Sequence, residues 1–293
     1  MQRPVLFPTV GVAFWITLLA LLSSFAVVGI VAGLSGGGSV QLAEALGLVV
    51  GFGGVGTLAA RQVPPPQAER LGLRGMRLRF FLPLLLLIPV ALLASEVDNL
   101  VKAVLSQAQG SEIAEISEKL KSAAVLEMVG AAIVAIGIQP VVSEWFYRGV
   151  VQQGLVAQLG VGRGIVITAL LYALALSQGV VGTSFVLWLA ATLSEFVNGI
   201  AYGLTRHYSG SLLAPILLHV ALNASASLAL GCATRVPIPG FNTAGVHTPI
   251  QFLIPAAASV AFGIALMVRF GGRPGPTLHH EPSAGKGESA PPR

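Results

Sequence analysis

Long apolar runs separated by short polar or basic stretches dominate the chain. The runs cover about Thr9 to Gly33, Val40 to Ala60, Phe80 to Ala94, Ala123 to Gly160, Ile165 to Val180, Ser184 to Thr205, Leu212 to Leu230 and Pro249 to Val268. A helix needs roughly 20 predominantly apolar residues to cross a hydrocarbon core of about 30 Å. The pattern therefore predicts an all-α, polytopic integral membrane helix bundle of about eight transmembrane helices. The third run is short and needs Ser95 or residues beyond it to complete a crossing. The fourth is longer than a bilayer requires at about 1.5 Å rise per residue, which predicts tilt or a kink at Pro140. The first run follows Arg3 and is expected to stay as a span, being too long for a signal-peptide core and lacking a small-residue cleavage site.

The stretches between runs set the expected organisation. Residues 1–60 form two N-terminal transmembrane helices, 61–79 a basic cytoplasmic loop, 80–268 the membrane core and 269–293 a disordered cytoplasmic tail rich in Pro, Gly and Ser. The loop carries Arg61, Pro64, Pro65, Pro66, Glu69, Arg70, Arg74, Arg77 and Arg79, which reads as a basic loop or a short helix on the membrane surface. The segment from Glu96 to Ser122 is more acidic than basic. With Arg3, the Arg61 to Arg79 loop, Arg163, Arg206, Arg269 and Arg273 on one side, an even number of crossings predicts both termini in the cytoplasm of a multi-pass cell-membrane protein.

Composition fits that class, with 54% hydrophobic residues, only 10% charged and a mean hydropathy of +0.81. A net charge of +5 raises nucleic acid as a partner, but the basic residues sit in loops and tail as topology signals do, so none is expected. The single cysteine, Cys232, excludes an internal disulfide and a cysteine-rich metal site.

Few polar side chains interrupt the apolar runs. Glu144 and Arg148 stand four apart, on one helical face a turn apart. Each charge costs about 2.5 to 3.5 kcal/mol at a span's centre, so the pair is expected to face the protein interior. His219 and Asn223 repeat the spacing in the seventh run, and Glu195 and Asn198 share a face of the sixth. Such groups serve either as interhelical packing bonds, about 0.6 kcal/mol each on average, or as a functional site. Spacing does not choose between these.

The ordered motifs Ser143-Glu-x-x-x-Arg-Gly149, Asn198-Gly-x-x-x-Gly203, Ser209-Gly-Ser211, Ala214-Pro215 and His219-x-x-x-Asn223, with Glu69-Arg-Leu-Gly-Leu-Arg74 before the third run, resemble the CPBP family, also called ABI. That family includes the type II CAAX prenyl endopeptidases and bacterial immunity and sorting proteases. The resemblance covers roughly Leu71 to Ser227. It implies about eight helices around a polar cavity in which peptide bonds of membrane-associated substrates are cleaved. The family pattern is Glu-Glu-x-x-x-Arg, Phe-x-x-x-His and His-x-x-x-Asn. Its first Glu and first His are held to activate water, and its second His and Asn to form an oxyanion site or, in an older view, to bind metal. By resemblance Glu144, Arg148, His219 and Asn223 are the catalytic candidates.

Two positions depart from the pattern. Ser143 stands where the first Glu belongs, and Tyr172-Ala-Leu-Ala-Leu176 puts Leu176 where the first His belongs. Neither side chain accepts a proton near neutral pH as a general base must. Adjacent helical residues point about 100° apart, so Glu144 is expected to face another wall, toward Arg148. Ser143 as a nucleophile activated by His219, with Asn223 holding the oxyanion, and Glu195 as a substitute base are the two rescues available. No cofactor is expected, and a metal is unsupported because His219 is the only histidine in a span while catalytic zinc usually takes three protein ligands.

The expectation is a CPBP-type intramembrane protease with a degenerate active site. The alternative is a non-catalytic relative that acts as a substrate-binding, sorting or immunity partner. Expected partners are membrane lipid, a membrane-associated protein or peptide substrate, and a catalytic paralogue. A transporter is disfavoured, since no repeated pair of broken spans is present.

Overall fold

A computed structural model describes residues 6–36, 40–105, 125–177, 184–233, 235–243 and 246–271. The described residues form helices and no named strand. We label the long helices α1 (Val10–Leu34), α2 (Val40–Ala60), α3 (Leu78–Val104), α4 (Leu126–Leu159), α5 (Val161–Leu176), α6 (Phe185–Ser209), α7 (Leu213–Gly231) and α8 (Ile250–Gly271). Seven of these are long and apolar enough to cross a membrane, and α5, at 16 residues, is shorter. The chain is a multi-pass helical membrane protein. The tail predicted at residues 269–293 begins three residues early, since 269–271 belong to α8, and its remainder, like most of the acidic segment, lies outside the described residues.

Local chemistry sets the helix ends. The Thr9 and Ser184 hydroxyls accept from the Val12 and Leu187 amides at the starts of α1 and α6. Gly160, with φ of +82°, separates α4 from α5, and Gly210, with φ of +67°, ends α6. The third helix runs ten residues beyond Ala94, the extension that its short apolar run requires. Its polar residues satisfy one another there, since Lys102 pairs with Asp98 at 2.7 Å while Glu96 accepts from the Thr248 amide at 2.7 Å and meets His247.

Helix α6 is the bundle's axis, packing against α3, α4, α5, α7 and α8. Close approach to α5 depends on Gly203, where a Cβ would sit 2.7 Å from the Ile165 Cγ2 atom. The Gly199 and Gly203 pair therefore packs an internal neighbour.

Cross-bonds sort the loops to two ends. The short helix Gln67–Leu71 closes at Gly72, whose carbonyl accepts from the Leu212 amide at 2.8 Å. The Ser211 hydroxyl donates to the Arg74 carbonyl at 2.6 Å, and Arg206 donates to the Arg70 carbonyl at 2.8 Å. These bonds clip the basic loop to the α6–α7 turn. The start of α1 joins the same end, where Gln158 accepts from the Val10 amide at 3.0 Å. At the other end, Ser95 and Asn99 donate to the Gly240 carbonyl, tying α3 to the α7–α8 loop.

Candidate functional site

The interior of α4 is not a regular α-helix. Residues Ile133–Ile138 and Trp145–Val151 are π-helical, one stretch on each side of Pro140, which is the form the expected irregularity takes. The first stretch ends with the Gln139 amide bonded to the Val134 carbonyl, five residues back. Continuing that register would need the amide hydrogen of residue 140, and proline has none. The Ala135 carbonyl is thereby left over, and the Asn223 side-chain amide donates to it at 2.6 Å. The second stretch ends with the Gln152 amide on the Tyr147 carbonyl. Return to ordinary pairing passes over one carbonyl, and Arg206 Nε donates to that of Arg148 at 3.3 Å.

Between these irregular turns lies a buried charged cluster. Glu144 and Arg148 are both 0% exposed, and Arg148 Nη1 donates to Glu144 Oε1 at 3.1 Å. The same carboxylate oxygen lies 2.9 Å from His219 Nδ1, across from α7. Glu144 thus faces Arg148 as expected and meets His219 through the same oxygen. Extra residues in the π-helical turns rotate the faces of α4, and one carboxylate serves both partners. Its other oxygen, Oε2, is buried without a hydrogen-bond partner among the described residues.

Aromatic rings enclose the cluster. The Arg148 guanidinium lies 4.3 Å from the Tyr172 ring centroid, 5.1 Å from Tyr202 and 5.9 Å from Tyr147. Its Nη2 donates to the Gly199 carbonyl at 2.9 Å, and one turn further Gln152 donates to the Gly203 carbonyl at 2.9 Å. The His219 ring stacks on Tyr202, with centroids 4.6 Å apart and planes 17° apart. These contacts fix the imidazole with Nδ1 toward Glu144. Nε2 forms no hydrogen bond among the described residues.

Glu144, Arg148 and His219 are therefore brought together, while the remaining candidates sit differently. Asn223 is turned to α4 and makes no bond to His219. The Ser143 hydroxyl is buried and donates to the Gln139 carbonyl at 2.6 Å, so it is not paired with His219 as a serine nucleophile would be. Glu195 is half-buried beside Asn198 and Tyr172, within electrostatic reach of His219 and Arg148. Leu176 packs against the main apolar core. Among the described residues no three His, Cys, Asp or Glu side chains gather as a metal set. His219 Nδ1 and Glu144 Oε1 point at each other, an arrangement that does not fit a shared ion.

Sequence reading missed the tyrosine cage and Gln152. A signal existed, because three of the chain's four tyrosines fall within apolar runs and Gln152 continues the spacing of Glu144 and Arg148 by one more step of four.

No curated protein and no solved structure matches the chain. Residues 125–225 match the family model described as Rce1-like, type II CAAX prenyl endopeptidase Rce1-like. The matched stretch holds Glu144, Arg148, all three caging tyrosines, His219 and Asn223, hence the whole buried cluster. Over this segment, about a third of the chain, the protein is similar to the CAAX-protease-like membrane proteins that the model describes.

Proposed function

We propose that the chain hydrolyses a peptide bond of a membrane-associated protein or peptide, with His219 as the water-activating base and Glu144 as its positioning partner. The observation that carries this is the 2.9 Å contact of His219 Nδ1 with Glu144 Oε1, with the opposite ring nitrogen unpaired among the described residues. Glu144 accepts the Nδ1 hydrogen and leaves the Nε2 lone pair to take a proton from water, the division of labour in histidine–carboxylate pairs. The hydroxide forms the new bond at the carbonyl carbon, and Nε2 returns the proton to the departing amine. Asn223 Nδ2 has two hydrogens and spends one on the Ala135 carbonyl, so the other is available to the tetrahedral oxyanion. Glu195 supplies a second carboxylate that favours the transient imidazolium.

A second reading is non-catalytic binding of the same kind of segment, or of a catalytic paralogue, as a sorting or immunity partner. The closed state of the cluster favours it, since Ser143, Glu144 and Arg148 are fully buried and His219 is 2% exposed. Under either reading the basic end of the bundle faces the cytoplasm of a cell membrane, with both termini on that side.

A peptide tethered to nanodiscs by one apolar helix separates the readings when added to the purified full chain. Hydrolysis predicts a shortened peptide with a new carboxyl terminus. Intact peptide retained on the protein would favour the binding reading.

A further inference from the structure

Helices α3, α6 and α8 enclose a seam that the buried cluster does not use. At the basic end the seam opens as a pocket of about 380 Å³ lined by Arg74, Arg77, Arg79, Phe80, His207 and Tyr208. Deeper in, it continues as an apolar groove of about 270 Å³ whose lining includes Leu87, Leu93, Phe196, Leu204, Val260 and Met267. Tyr208 lines both. Each helix contributes in the same order from the basic end inward. From Phe80 to Leu93, from Tyr208 to Phe196 and from Gly271 to Val260 the seam runs about 16 to 20 Å at the standard helical rise. One leaflet of a hydrocarbon core is about 15 Å deep.

The charges at the mouth are not balanced. Arg74 pairs with Glu69, whereas Arg77 and Arg79 are exposed and have no acidic partner among the described residues. The Arg79 guanidinium lies 5.3 Å from the Phe80 ring, at the start of α3. The mouth therefore selects an anion, and the groove below it selects a chain of hydrocarbon.

We propose that this seam binds an anionic glycerophospholipid, with its phosphate among Arg77, Arg79 and His207 and one acyl chain along the groove. A substrate tail fits less well. Tyr202 and Arg206, which face the buried cluster, lie about 200° around α6 from Ile200 and Leu204, which face the groove. A chain in the seam is thus walled off from His219 by α6 itself.

Native mass spectrometry of the full chain, released from detergent with matched dioleoyl phosphatidylglycerol and phosphatidylcholine, tests this. Phosphatidylglycerol is expected to be retained about ten- to thirtyfold more tightly. The double variant Arg77→Ala with Arg79→Ala, both at exposed positions, should remove that preference while the elution profile stays unchanged. Leu204→Trp, which fills the groove, should weaken the dioleoyl lipid and spare dihexanoyl phosphatidylglycerol. Equal retention of the two lipids, or a preference that survives the arginine changes, would overturn the proposal. So would competition by inorganic phosphate as effective as that by lipid, or displacement of the lipid by a prenylated peptide with a free carboxylate.

Discussion

His219→Gln is expected to lower the cleavage rate of a membrane-tethered peptide by about two to four orders of magnitude, the usual contribution of a positioned general base. Glutamine preserves polarity and can donate its amide hydrogen to Glu144 Oε1, so the bundle should still assemble. It has no nitrogen lone pair able to take a proton from water. The loss should therefore fall on kcat with KM little changed, because a general base acts on the reacting water and does not anchor the peptide. A parallel rise in KM would mean that the imidazole holds the substrate.

Glu144→Ala is expected to destabilise the protein by about 3 to 5 kcal/mol, the cost of leaving a buried charge without its partner. Arg148 would keep the Gly199 carbonyl and the three tyrosine rings, but no anion. The double change Glu144→Leu with Arg148→Leu should be milder. It removes both charges and leaves chiefly the His219 Nδ1 group unsatisfied, at about 1 to 3 kcal/mol. Thermal unfolding in detergent should rank the wild type above the double variant and the double variant above the single one. Equal midpoints for all three would mean that water reaches these side chains.

The sequence pattern made most of the fold legible, because each span is an apolar run and lipid leaves helices as the simplest answer. The short third run already required an extension past Ala94, but Glu96, Asp98 and Lys102 look like loop residues and hid its length, although the i, i+4 spacing of Asp98 and Lys102 offered the pairing seen at the helix end. The Glu144 and Arg148 pair was legible for the same geometric reason. Contact between Glu144 and His219 was not. It joins positions 75 residues apart and lies beyond the π-helical stretch Ile133–Ile138, which shifts every later side chain around the helix. Pro140 marked the irregularity, but not its consequence, the freed Ala135 carbonyl that holds Asn223.

The most direct test is to incubate the full chain in nanodiscs with the tethered peptide in water enriched in oxygen-18 and read the product by mass spectrometry. The Glu144–His219 pair as water activator predicts a shortened peptide carrying the heavy oxygen in its new carboxylate, formed equally by wild type and Ser143→Ala and absent with His219→Gln. Cleavage that persists in His219→Gln or vanishes in Ser143→Ala, or a wild-type protein that only binds the peptide, would contradict it.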